Sequence, residues 1–192
     1  MRFMLVIPES VRSILRVSLT ATLGWTLSAQ TPDFDQIKAK AEQGDAKSQV
    51  SLATMYYRGQ GVLQHYAEAA KWFRKAADQG DAAAQKNLAS MYYHGQGVQQ
   101  SDVEAANWFR KAADQSDAQA QIELGLMYVN GQGVGADAAQ GAKLFRKAAD
   151  QGHPVAQKNL GVLYVKGQGV SQDSAEAAKW FRKAAEQGEP QA

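Results

Sequence analysis

Apolar residues along most of this chain fall into two kinds of stripe that alternate at a fixed spacing. Leu52 and Tyr56 lie four apart, and with Gln49 and Ala53 they share one face of a helix. Further on, Ala69, Trp72, Phe73, Ala76 and Ala77 follow the i, i+3, i+4, i+7, i+8 pattern of a second amphipathic helix. Neither segment alternates as a half-buried strand does. The pattern predicts two helices, roughly over 46–58 and 67–79.

The pair recurs every 36 residues, with no insertion or deletion, over 46–81, 82–117, 118–153 and 154–189. A fixed period of about 20–50 residues marks stacked supersecondary units. The expected fold is therefore all-α, an α/α solenoid of 36-residue antiparallel helix pairs, held together by stacking between neighbours.

Polar and glycine positions punctuate the stripes. Asp45, Asp81 and Asp117 sit where a first helix begins and can cap its free N–H groups; the fourth copy has His153 there, followed by Pro154. Gly80, Gly152 and Gly188 follow the second helix, where a left-handed residue is often needed, and Ser116 breaks that series. Between the helices the chain reads YYRGQGV at Tyr56, then YYHGQGV, YVNGQGV and YVKGQGV. A phosphate-binding glycine loop would lie between a strand and a helix, with a lysine or acidic partner downstream. No such context surrounds these copies, so Gly59 and Gly61 are read as a turn. Ala53, Ala89, Gly125 and Gly161 are small residues that let helices approach, beside Tyr56, Trp72 and Phe73; Leu144 replaces the tryptophan in the third copy.

The first 29 residues differ. Three arginines precede the apolar run VSLTATLGWTL, which ends in SAQ, the order of a secretory signal peptide with cleavage after Ala29. The run is shorter than the ~20 residues of a spanning helix. The expectation is an exported protein, periplasmic or secreted, with no stable membrane insertion once the signal is removed. Residues 30–45 align with the second half of a repeat and are read as an N-terminal half-repeat cap. No capping helix is expected after the fourth repeat, whose edge is then a candidate for self-association.

Charge adds little. The formal net charge is +2, but the first 29 residues carry three Arg and one Glu, so the remainder balances acid and base. Nucleic-acid binding is not expected. The chain has no cysteine, which excludes a disulfide framework, a thiolate metal site and a cysteine nucleophile.

The run AQKNLASMYYHGQGVQQSDVEAANWFRKAADQSD, with Leu160, Gly161 and Tyr164, the turn Gly167–Val170 and the WFRKAA run at Trp180, resembles the Sel1-like repeat, a relative of the tetratricopeptide repeat. The resemblance implies a right-handed superhelix and an adaptor or scaffold role. Some exported relatives, with paired cysteines, are linked to penicillin or cell-wall binding.

No catalytic set is evident. His65, His94 and His153 fall in a loop, at a helix end and at a cap, without metal-helix spacing. No S-x-x-K or G-x-S-x-G motif occurs beyond residue 29. Arg74, Arg110, Arg146 and Arg182 stand four residues before Asp78, Asp114, Asp150 and Glu186 and are read as i, i+4 ion pairs on a solvated face. No cofactor or metal is expected.

Positions that vary between copies offer a better site. On the first helix they are Lys47, Val50, Thr54, Tyr57 and Arg58; then Ala83, Lys86, Ser90, Tyr93 and His94; then Gln119, Ile122, Leu126, Val129 and Asn130; then Val155, Lys158, Val162, Val165 and Lys166. By analogy with tetratricopeptide repeats this face lines a concave groove, aromatic and basic at first and apolar later. A protein or peptide with an acidic segment followed by apolar anchors would complement it. The leading expectation is an exported, non-catalytic scaffold that binds such a partner. The alternatives are a cell-wall protein that binds or hydrolyses peptidoglycan or β-lactams, and a self-assembling structural oligomer.

Overall fold

A computed structural model describes residues 32–188. The signal-peptide reading lies outside the described residues. Nine helices follow one another among them: α1 (Pro32–Glu42), α2 (Ala46–Arg58), α3 (Tyr66–Asp78), α4 (Ala82–His94), α5 (Asp102–Asp114), α6 (Ala118–Asn130), α7 (Ala138–Asp150), α8 (Pro154–Lys166) and α9 (Ser174–Ala185). Each helix packs chiefly on its two sequence neighbours, as in a solenoid. The predicted first helix is matched residue for residue, and the second begins one residue early.

The first helices of the first three repeats are capped as their sequence predicts. Asp45, Asp81 and Asp117 accept hydrogen bonds from the backbone N–H groups of Ser48, Ala84 and Ala120 at 2.7–2.8 Å. Bonds from Ser48, through its side chain and its backbone, hold the Asp45 carboxyl below its ordinary range. That cap therefore stabilises the fold at neutral pH, and its contribution falls away only in acid, once the folded-state carboxyl is protonated. His153 occupies the fourth cap position with extended backbone but makes no capping bond, and its Nδ1 is buried without a partner. His153→Asp is expected to stabilise the protein by about 1 kcal/mol, through the regained cap and its charge at a helix N-terminus. The thermal midpoint should rise by about 2–4 °C; an unchanged midpoint would show that this N-terminus is already satisfied.

Second helices end in a Schellman arrangement. Gly80 N–H donates to Ala77 O, Asp81 N–H donates to Ala76 O, and Gly80 has φ +93°. Ser116 holds the same left-handed conformation at φ +69°, the one non-glycine residue to do so among those described. The open surroundings of Gly80 and Gly152 explain why a side chain is accepted there.

The core is built from the predicted stripes. Leu52, Ala53, Ala69, Trp72, Phe73, Ala76 and their equivalents are buried, except the half-buried Leu144 and Phe181, with Phe34 and Ala41 of α1 beneath them. Gly125 is required where the Phe145 ring presses on it, since an added Cβ would lie 2.8 Å from the ring; Gly161 stands in the same relation to Phe181. On α9 the pattern changes. Ala178 and Ala185 are exposed and Phe181 is half-buried, whereas Ala70, Ala77 and Phe73 are buried. No described element covers that face.

A ladder of buried glutamines ties the layers together. Gln121, 2% exposed, donates to Ala113 O at 3.2 Å and accepts from Gln151 Nε2 at 3.0 Å. Gln49, Gln85 and Gln157 repeat both bonds, and Gln49 reaches back to Ala41, so α1 stands to α2 as α3 stands to α4. A buried polar side chain is tolerable only when its groups are paired. Gln121→Leu keeps the bulk but strands both partners, and an expected loss of about 1–3 kcal/mol can be read from urea unfolding. Gln151→Leu, at an exposed residue, should cost less; equal losses would refute the ladder's asymmetry.

The predicted Arg–carboxylate pairs are not formed. Arg74, Arg110 and Arg146 instead donate to the hydroxyls of Tyr92, Tyr128 and Tyr164 in the following repeat. Arg74 also lies over the Trp108 ring, 5.2 Å from its centroid, and Arg146 lies 5.0 Å over Trp180. A weakly hydrated, planar guanidinium favours an aromatic face over an exposed i, i+4 carboxylate, which water solvates well. Where Leu144 replaces tryptophan, Arg110 turns to Asn107 Oδ1 at 3.1 Å.

Candidate functional site

Helices α2, α4, α6 and α8 each divide into a buried face and an accessible one. Gln85 and Leu88 on α4, shared between repeats, are buried, and the shared Tyr92 is half-buried. Most of the varying positions remain accessible. Lys47, Arg58, His94, Asn130, Val155, Val165 and Lys166 are exposed, and Thr54, Tyr57, Ser90, Tyr93, Leu126, Val129, Lys158 and Val162 are half-buried.

Two predicted site residues are placed otherwise. Ile122 is 1% exposed and belongs to the core with Phe145, Ala148 and Leu160, so it is not a partner contact. Lys86 is not a free cation: its Nζ lies 3.5 Å from Asp117, the cap of the next first helix. Spacing along one helix could not reveal this, because the pair joins successive repeats.

Tyr57 and Tyr93 also have structural duties. The Tyr57 hydroxyl donates to Gln96 Oε1 at 2.9 Å, and its ring meets Tyr66 edge-on at 5.3 Å. Tyr93 accepts from Gln132 Nε2 at 3.4 Å and packs edge-on against His94 at 5.0 Å. The central glutamine of the G-Q-G turn thus reaches back to the preceding repeat. Both tyrosines hold their rings at the surface in fixed positions.

Between α2 and α4 lies a small open pocket lined by Thr54, Tyr57, Arg58, Phe73, Asn87 and Ser90. Four of these six were chosen from sequence alone. Phe73 and Asn87 were not. Phe73 counted as core, and it is 3% exposed with its remaining edge at the pocket. Asn87 belongs to a further varying position, with Ser51, Glu123 and Asn159, and its variation was the signal that would have found it. Thr54 is already committed, its hydroxyl donating to Val50 O at 2.8 Å. The Asn87 and Ser90 side chains make no intramolecular hydrogen bond among the described residues, and Arg58 makes no ion pair among them.

The histidines have local roles. His65 Nδ1 accepts from Glu68 N–H at 3.2 Å and caps α3, a role that the loop reading missed. Among the described residues no group of three or more His, Asp or Glu is placed to hold a metal ion, and no helix is long and apolar enough to cross a membrane.

Stacked helix pairs, each layer bonded to the next and bearing a variable accessible face, define an α/α solenoid repeat protein. The chain belongs to the Sel1 repeat family, whose model matches residues 46–81, 82–117, 118–153 and 154–189. Among solved structures it is similar to a protective antigen of uropathogenic Escherichia coli displaying an SLR fold. Identity is 42% and the TM-score 0.79, over 81% of this chain and 33% of that one. It is also similar to a Sel1 repeat protein from Oxalobacter formigenes, at 36% identity and TM-score 0.71, over 77% of this chain and 59% of that one. The chain thus spans a third of the first relative and 59% of the second. No curated protein matches it. Sel1 repeat proteins generally mediate protein–protein interaction, and most are non-catalytic scaffolds.

Proposed function

We propose that this chain is an exported, non-catalytic scaffold that binds a protein or peptide partner along the accessible face of its first helices. The observation that carries the reading is the partition on those helices. Gln49, Leu52 and their equivalents, constant between repeats, are buried, while most of the varying positions are left accessible on neighbouring helices. A partner lying across them meets a different side-chain set in each repeat, which suits selective recognition by a repeated scaffold. Export rests on the basic and apolar order of residues 1–29.

The test is a crosslinked pull-down from the native envelope fraction, with the wild-type chain beside a triple variant, Arg58→Ala, His94→Ala and Lys166→Ala. All three side chains are exposed, so helical content should be equal in the two. The expected result is a partner held by wild type and reduced about tenfold or more in the variant. Equal capture by both baits would place binding elsewhere on the molecule.

A further inference from the structure

We propose that the pocket between α2 and α4 takes an acidic side chain of the partner, an aspartate or glutamate carboxylate held by Arg58, Asn87 and Ser90. The proposal rests on the partner-binding reading above. The donors on this surface divide into those already used and those free. The Tyr57 and Thr54 hydroxyls donate within the protein, to Gln96 and to the Val50 carbonyl. Arg58, Asn87 and Ser90 line the same pocket, and their polar groups are not bonded to any other described side chain. No carboxylate lines it.

A planar guanidinium with neutral donors beside it matches a carboxylate, which accepts two parallel N–H bonds. The buried Phe73 edge and the Tyr57 ring add apolar wall that suits the one or two methylenes of an acidic side chain. A lysine or arginine of the partner would meet like charge at Arg58 with no compensating acceptor of full charge.

The other junctions are not built this way. At the α4–α6 junction the corresponding positions carry His94 for Arg58 and Glu123 for Asn87, and Gln119 Nε2 donates to Glu123 at 2.7 Å. At the α6–α8 junction they carry Asn130, Leu126, Val129 and Val162, with Asn159 beside them. Only the first junction combines a cation with neutral donors and no acid. The partner is therefore oriented, with its acidic residue at the α2 end and its apolar residues toward α8.

The experiment is selection of a phage-displayed random dodecapeptide library on the full chain, on Arg58→Glu and on a Tyr57→Ala/Tyr93→Ala double variant. Wild-type binders should be enriched in Asp or Glu at one position, and their affinity should fall about tenfold or more on Arg58→Ala. Selection on Arg58→Glu should exchange that preference for Lys or Arg. Binders that lose affinity on the double variant but show no acidic preference, or the same preference on Arg58→Glu, would overturn the pocket assignment and leave the surface reading intact. An absence of binders, or binders indifferent to every variant, would overturn both. Arg58 is exposed, and equal helical circular dichroism will separate a lost contact from a lost fold.

Discussion

Gly133→Ala is expected to cost about 3 kcal/mol or more of stability, while Gly80→Ala costs only about 1 kcal/mol. Both glycines have positive φ, +66° and +93°, so an alanine is strained at either site. The difference lies in what the new Cβ meets. At Gly80 there is open space, and Ser116 already occupies the equivalent position two helices on. At Gly133 the Cβ would fall 2.2 Å from Asp102 O and 2.3 Å from its carbonyl carbon, at the start of α5 in the preceding repeat. Backbone cannot swing aside as a flexible side chain does, so the two repeats must separate.

Gly97 against Tyr66 and Gly169 against Ala138 make the same contact. The second glycine of the G-Q-G turn is therefore an inter-repeat joint as well as a turn residue. Urea unfolding followed by circular dichroism measures the effect. A broadened or split transition for Gly133→Ala would be the mark of a solenoid uncoupled at one junction. Equal losses at the two sites would mean that backbone angle alone, and not the joint, sets the cost.

Trp108→Ala is expected to cost about 3–5 kcal/mol, the range for emptying a large buried aromatic site. Trp108 is 5% exposed, covers the core on one side and carries two cations on its faces, Arg74 at 5.2 Å and Lys111 at 3.9 Å. Trp108→Leu separates these contributions, since the third repeat carries Leu144 in that position. Leucine restores part of the burial and none of the ring, so it should recover part of the loss and leave a remainder of about 1 kcal/mol or more. Calorimetric melting of the three proteins gives both differences. A leucine variant as stable as wild type would show that the stacked cations contribute nothing.

The helices, their first-helix caps and their left-handed endings were legible because each depends on residues within about one turn of chain. Four copies in fixed register made the signal redundant. The caps of the second helices were missed: one position carries three residue types, His65, Ser101, then Asp137 and Asp173, and only the bonds they accept reveal a shared role. The arginines were assigned to carboxylates one turn away, since a helix surface offers that partner first. Tyr92 and Trp108 belong to the next repeat, 18 and 34 residues onward, and nothing local points to them.

The candidate site divides in the same way. Variation between copies picked out Thr54, Tyr57, Arg58 and Ser90, which meet at one pocket. The same variation also picked out Ile122 and Lys86, and the structure gives one to the core and the other to Asp117. By itself the sequence determined the repeat, its helices and the list of surface positions free to differ, because apolar period and capping act over a few residues. Only the tertiary structure decided which of those positions stay free, since that depends on the side chains the next repeat lays against them.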